Sequence, residues 1–555
     1  MIVSSTLSAL LLSTAAHAED YAAGETILEA VAIEISESGF DGIGGLSSIL
    51  IPPQIDIGAI EESADCWLCS CYVLEFNSAW IDSQIIDTQL VPGNGVIDLL
   101  IQLQIKINDS SDTFNLYTEV CGIGDTCYGY VEPVMVTAAT TIAMQIVQDQ
   151  DGKPVLDAIA APLQVQHSLE SDDIILNGCV IGGVEEVLDL VGLSMYDLVL
   201  GQLDSELEDA LSSATDDIEQ TIEDAFASAV ISQELEVGEG SVLLDLYPED
   251  ISITPDGMTL VMAGAADGSQ HICVERFDSG TSPRTDSNIP SVSRAPGAFS
   301  VLFSDDFSNQ LFYGLWRSGL LCYEVEDSSG LPMTTAILSL LTGDAFDNFF
   351  PEAAPISIST SPRNAPTINY QGDSDLNVDI EDLVLDIFAE VDGRNTRILG
   401  VGLDTDLGVN LNFDDTTGDL AAEIILDFDN IEMSMAYNEL TPDKNEEILA
   451  QFSSSLGGLI EPLIGGLLGD IFSINIGSME GIGVTSLSLS PSGNDLDWLE
   501  IAADVGPVPY EGGCDCDGES DGGSSCESGC SSSHGKSRAM LLLPLAFAVV
   551  FRRRR

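Results

Sequence analysis

The residues able to do chemistry are few and widely spaced. Between residues 19 and 530 there are two histidines, His167 and His271. A hydrolytic triad needs an imidazole, and neither histidine sits in a nucleophile-elbow or zinc-protease pattern. Carboxylates are the opposite case: with 92 Asp and Glu in the chain, no pair stands out as an acid and a base. These features argue against an enzyme, and no cofactor or metal is expected. Six cysteines, Cys66, Cys69, Cys71, Cys121, Cys127 and Cys179, fall in the N-terminal half. In an oxidising compartment three disulfides from these six are expected in preference to a zinc cluster, with connectivity unreadable. Cys273 and Cys322 remain as an expected pair across the stretch "DSGTSPRTDSNIPSVSRAPG". The run "DSDLNVDIEDLVLD" imitates a calcium loop through Asp373, Asp375, Asn377 and Asp379. However, Val378 stands where the loop needs glycine and Val384 where it needs a bidentate glutamate. Leu376, Val378 and Ile380 alternate instead, which predicts a strand with an acidic outer face. "DQDGKPVLD" reads as a turn.

The elements that must position these residues are mostly strands. In "GVIDLLIQLQIKIND", Ile97, Leu99, Ile101, Leu103, Ile105 and Ile107 alternate with Asp98, Gln102, Gln104 and Lys106. That period of two predicts a half-buried strand of roughly 35 Å. "VGLDTDLGVNLNFDD", the turn "DDTTGD" and "LAAEIILDF" predict a long antiparallel hairpin. Val401, Leu403, Leu407, Val409, Leu411 and Phe413 lie on its apolar face, opposed by Ala422, Ile424, Leu426 and Phe428.

Two helices interrupt the strands. Leu200, Leu203, Leu207, Leu211, Ile218, Ile222, Phe226 and Val230 form a stripe of period 3.6. The second stripe runs Ile448, Phe452, Leu456, Leu459, Leu463, Leu467, Ile471. Thr441 is the expected cap of this helix, Pro442 suits its first turn, and Glu446 and Glu447 favour its N-terminal dipole. Five glycines between 457 and 469 thin it. Each helix leads into a similar strand and turn: "ISITPDG" at 251–257 and "LSLSPSG" at 487–493. The repeated order predicts two related domains.

The 555-residue chain carries a net charge of −76 with 45% apolar residues. It is therefore too apolar to be an acidic disordered protein. Residues 19–530 hold ten basic against 92 acidic residues, a balance of −82. Such a surface repels nucleic acid and anionic headgroups and attracts divalent cations loosely; a saline habitat would also favour it. The N-terminus "MIVSSTLSALLLSTAAHAED" has an apolar run and an Ala-His-Ala site, which predicts a signal peptide cut after Ala18. At the other end, residues 511–530 are Gly-, Ser- and acid-rich. Residues 539–551 are mostly apolar, and four arginines follow. Thirteen residues make roughly 20 Å of helix, short of a bilayer core of about 30 Å. The layout suggests a sorting signal, with a plain membrane anchor as the alternative.

Those last residues, with Cys530 after Gly529, resemble the MYXO-CTERM tails of exported proteins. The resemblance implies removal of the tail by a myxosortase and a modified, lipid-carrying Cys530. The body resembles the BPI-like (TULIP) lipid-binding family. The carriers are the Pro/Ser linker and "FSVLFSDDFSNQLFYGLWRSGLL", with Asp305, Asp306, Asn309, Leu311, Leu315, Trp316, Gly319, Leu320 and Leu321. "GFDGIGGLSSILIPPQIDIG" is similar to the family's opening and "INIGSMEGIGVTSLSLSPSG" to its last strands. This implies an α+β fold, mainly antiparallel β: two elongated barrels, each wrapping a long helix, joined by a central sheet. The expected division is signal peptide 1–18, N-terminal barrel 19–255, central sheet and linker 256–330, C-terminal barrel 331–510, linker 511–530 and sorting tail 531–555. A lipid or another apolar ligand is the implied partner. The groove candidates are Leu200, Leu203, Leu207, Leu211, Ile218, Phe226, Phe452, Leu456, Leu463 and Leu467. Antibacterial members carry a basic N-terminal tip, but only Lys106 and Lys153 precede Arg276 here, so lipopolysaccharide capture is not implied. The expected protein is exported and non-catalytic. It would be tethered to the outer surface of the cell envelope through its processed C-terminus. The rival is an acidic structural or adhesive surface protein with filled barrels.

Overall fold

The computed structural model describes residues 20–507, with gaps at 45–53, 57–59, 66–69, 78–79, 121–122, 151, 163, 171–172, 179–230, 238–239, 285–297, 326–332, 351, 373, 427–429, 456–472, 476–477, 480–481 and 494. The two termini, with Ala18 and Cys530, therefore lie outside the described residues, as does the whole 200–230 helix stripe. No described helix is long and apolar enough to cross a membrane.

The described chain is mainly antiparallel β, in three large sheets. In the N-terminal sheet the alternating apolar stretch forms strand Val96–Ile107. Its six inward residues, Ile97 to Ile107, are all buried, while Lys106 on the other face pairs with Asp82 at 3.0 Å. This strand and Phe114–Val120 follow one another along the same edge of the 26-residue strand Ile123–Gln148. They act as one long strand kinked at 108–113. The kink is built by Asn108, at φ +53°, and by Asp109, whose carboxylate accepts from the backbone of Ser111 and Asp112. Trp80–Pro92 and Ser70–Asn77 line up the same way on the next edge. "DQDGK" is a turn, closed by Asp149 accepting from Lys153 N, and it leads into strand Pro154–Ala160.

The C-terminal sheet repeats this design. Leu376–Val391 pairs with Arg394–Asp414, which turns at 414–419 into Asp419–Leu426. The pairs Leu411–Ala422, Val409–Ile424 and Leu407–Leu426 put the expected apolar set in register. Val378 and Ile380 are buried. Asp375 and Asn377 spend their side chains on local bonds, to Leu411 N and to Gln371 O. From Leu376 onward the segment is a strand, and Asp373 lies outside the described residues.

The central sheet has eight strands in the order Ile231–Val237, Gly240–Thr254, Gly257–Gly268, Ile27–Ser36, Phe299–Ser304, Trp498–Pro507, Ile482–Ser492, Ser478–Met479. It reads the same from either end. The first four strands come from the first half of the chain and the last four from the second, meeting where Ala32 faces Leu302. "ISITPDG" and "LSLSPSG" fall at mirrored places in this order, each ending the second strand from its edge. Residues 256–330 supply two of the eight strands; three of the rest lie before residue 256 and three after residue 477.

The helix Asp305–Arg317 clamps this sheet to the C-terminal one. Ser304 caps it, accepting from Phe307 N at 3.2 Å. Asn309 exchanges two bonds with the backbone of Ile368, and the Trp316 indole donates to Pro362 O at 3.1 Å. On the other side Gln310 accepts from Ala266 N and donates to Glu25 O, both at 2.7 Å. Each bond fills a backbone site that would otherwise be stranded in a buried junction, where an unmade bond costs about 1–3 kcal/mol.

Candidate apolar-ligand site

The described part of the second helix stripe spans residues 445–455. Pro442–Lys444 forms a short 3-10 turn before it, and Thr441 makes no side-chain cap bond. Asn438 braces the turn from the preceding segment. Its Oδ1 accepts from Thr441 N at 3.0 Å, and its Nδ2 donates to Thr441 O and to Asn445 Oδ1, both at 2.8 Å. The expected cap bond from Thr441 is therefore not made, and the Asn438 amide ties Thr441 to Asn445 across the turn.

Ile448 and Phe452, one turn apart, point the same way. Both are buried, in a cluster with Leu338, Leu341 and Phe346 and with Ile387, Val401 and Leu403 of the C-terminal sheet. Burying each such side chain is worth about 1.5–3 kcal/mol. Phe452, a groove candidate, is 2% exposed and forms part of a packed interior. Leu456, Leu463 and Leu467 lie outside the described residues, as do Leu200, Leu203, Leu207, Leu211, Ile218 and Phe226.

The N-terminal sheet has its own apolar cluster, from Ile81 to Ile174. A third cluster joins the three sheets: Ile97, Met144 and Leu156 of the N-terminal sheet, Ile33, Leu246 and Ile501 of the central one, and Val378, Ile380 and Leu407 of the C-terminal one. One of the three apolar clusters therefore runs from sheet to sheet, beside a separate one in each of the N-terminal and C-terminal sheets.

Cavities open among the described residues, two of which border the apolar clusters. One, of about 160 Å³, lies between Leu338, Ser339, Phe346 and Phe350. The other, of about 400 Å³, lies beside Leu99, Leu100, Thr140 and Pro162. The smaller is near the size of a benzene-binding void. The larger falls within the range of small-molecule sites, roughly 300–1,000 Å³. Its lining also holds Gln89, Asp98 and Gln164.

Charge is pressed close to this apolar interior. Glu500, buried in the central sheet, has its carboxyl pushed above the usual range by burial, partly offset by the hydroxyls of Ser300 and Ser492. Burial raises Asp497 too, helped by the charges of Asp495 and Asp306. Asp278 is held low, despite the opposing effect of burial, by bonds from Tyr313, Gly280 N and Arg317. That network, with Gln270 donating to Asp278 at 2.7 Å, escaped sequence reasoning. Its partners are spread over more than forty residues, and only the turn-like "DSG" hinted at Asp278.

Cys273 and Cys322 form a disulfide, with their Cα atoms 6.3 Å apart. Cys127 is also disulfide-bonded. Cys66, Cys69, Cys121 and Cys179 fall outside the described residues, and Cys71 lies on strand Ser70–Asn77. His167 and His271 are on separate elements: His167 accepts from Leu169 N, and His271 sits against the disulfide.

No family model and no curated protein matches the chain. Among solved structures, lipopolysaccharide binding protein aligns over 87% of this chain and all of its own, at 13% identity and a TM-score of 0.45. P47 of Clostridium botulinum E1 aligns over 88% of this chain and all of its own, at 9% identity and 0.24. Takeout 1 of Epiphyas postvittana aligns over 34% of this chain and 90% of its own, at 12% identity and 0.20.

Proposed function

We propose that this is a BPI-like, non-catalytic protein that binds a lipid or another apolar ligand between its curved sheets and helices, exported and tethered by its C-terminus. The observation that carries the reading is the apolar face continuous over three sheets. A chain that only had to fold could close each sheet separately. A long apolar ligand gains roughly 0.8 kcal/mol per buried CH₂, so a continuous face is what holds it. The balance of −82 over residues 19–530 opposes anionic headgroups, so affinity rests on the chain and not on the head.

The test is uptake of a fluorescent fatty-acyl probe, together with mass spectrometry of solvent extracts of the purified body. Uptake that persists at high salt, blocked by Leu463→Trp with the β-sheet spectrum retained, is the expected result. A second reading, an acidic structural surface protein, is favoured by the tight packing of Ile448 and Phe452. It stands if the native body takes up no probe and its extracts hold no lipid.

A further inference from the structure

His271, Cys273 and Cys322 each offer a ligand atom, and these atoms lie within 4.8 Å of one another. While the sulfurs are joined they are poor donors, and the group binds no metal. We propose that two-electron reduction converts this cystine into a three-ligand NS₂ site for a zinc-class divalent cation, leaving the fourth position to water. An external dithiol is the reductant. Its two electrons break the S–S bond, its two protons pass to the Cys273 and Cys322 sulfurs, and it closes to its own disulfide. The cation then displaces both protons and binds two thiolates and one imidazole nitrogen, the donor set favoured by Zn²⁺.

Three features make the site a built one. First, the imidazole has a prepared slot. Gly319, at φ +91°, packs against the His271 ring, where any Cβ would lie 2.7 Å from Cγ. The backbone N–H of His271 donates to Arg317 O at 2.8 Å, which fixes the residue that carries the ring. Nδ1 accepts only a long 3.3 Å bond from Cys273 N, which coordination would replace. Second, both ligand-bearing segments are held without the S–S bond. Past Cys273, Val274 is buried against Tyr313 and Trp316. Further along, Asp278 accepts from Tyr313, from Arg317 Nε at 2.9 Å and from Gln270 at 2.7 Å. Around Cys322, its own N–H bonds Gly319 O at 2.9 Å, and Tyr323 N bonds the Thr360 hydroxyl at 2.7 Å. The thiolates therefore stay together when the bond opens, and ordering them for a cation costs little. Third, all three ligand residues are half-buried, open to a reductant, on a chain whose charge of −76 concentrates cations.

The experiment uses the full body, reduced anaerobically with a dithiol that is then removed by gel filtration, and titrated with Co²⁺ as a spectroscopic stand-in for Zn²⁺. Other cysteines are controlled by the double variant Cys273→Ser/Cys322→Ser. Reduced wild type should take up one more equivalent than the double variant, with a thiolate-to-cobalt charge-transfer band. His271→Gln should weaken that equivalent. Zn²⁺ should shield Cys273 and Cys322 from alkylation, read by peptide mapping. Equal uptake by wild type and double variant, or unshielded cysteines, overturns the proposal. So does unfolding of the oxidised double variant, which lacks only this S–S bond and leaves the Val274 packing, the Asp278 network and the Thr360 bond to hold the two segments.

Discussion

Asp379 and Asp406 stand directly opposite each other on neighbouring strands of the C-terminal sheet. Burial raises the Asp379 carboxyl above its ordinary value, and the bond and charge of Asp406 raise it further. One amide, Asn369, offsets this by donating at 3.1 Å. The sign follows from linkage. The folded value is raised, so as pH rises the unfolded chain releases this proton first. The stability carried by the protonated form is lost between the ordinary carboxylate range and the raised value. Asp379→Asn should therefore be more stable than wild type at pH 7, by about 0.5 kcal/mol on the scale of facing like charges. The advantage should vanish in acid, below the ordinary range. Urea unfolding of both proteins at the two pH values measures it; a gain that persists in acid would mean the cause is not charge.

At the scale of elements, the two Pro-x-Gly turns fall at mirrored places in the central sheet but meet different neighbours. Gly257 has φ +146°, and a Cβ there would strike the backbone carbonyl of Ile35 on the adjacent strand. Gly493 has φ +89°, and its Cβ would strike the end of the Asp497 side chain and come within 3.2 Å of the Trp498 ring, but would meet no backbone atom closely. Both substitutions strain the backbone. Only the first also wedges apart two strands of the central sheet. Gly257→Ala should cost about 3 kcal/mol and Gly493→Ala about 1 kcal/mol. Thermal melts of the two variants side by side test this, and equal costs would remove the steric argument. The clamp helix Asp305–Arg317 shows the same dependence on surroundings: its acidic start and Ser304 cap are legible locally, but Asn309 has a partner only because strand Thr367–Asn369 arrives beside it.

Over the whole molecule, self-repulsion is the largest electrostatic fact. Among the described residues ion pairs are few beside the chain's charge of −76, and exposed ones such as Lys444–Asp344 at 3.0 Å are worth little. Raising ionic strength from about 0.01 M to about 1 M shortens the screening length from about 30 Å to about 3 Å. The melting midpoint should rise over that range. A flat or falling midpoint would place the acids in specific native pairs instead. The ligand-uptake experiment in the same salt series then separates the two effects, because apolar binding does not weaken as charges are screened.

Much of this protein was legible in its residues. Alternation at 97–107 and 401–413 names the buried face of each long strand, because side chains of an extended backbone point to opposite sides and only one side meets the core. The repeat at 251–257 and 487–493 names the doubled plan, since like segments settle in like places. Tertiary structure alone decided the rest. Strands 27–36 and 299–304 are far apart in sequence and adjacent in space, and no local pattern encodes which edge finds which. The Asp278 network and the place of His271 beside a cystine likewise depend on distances between remote segments. Patterning says which side of an element is apolar; only packing says what lies against it.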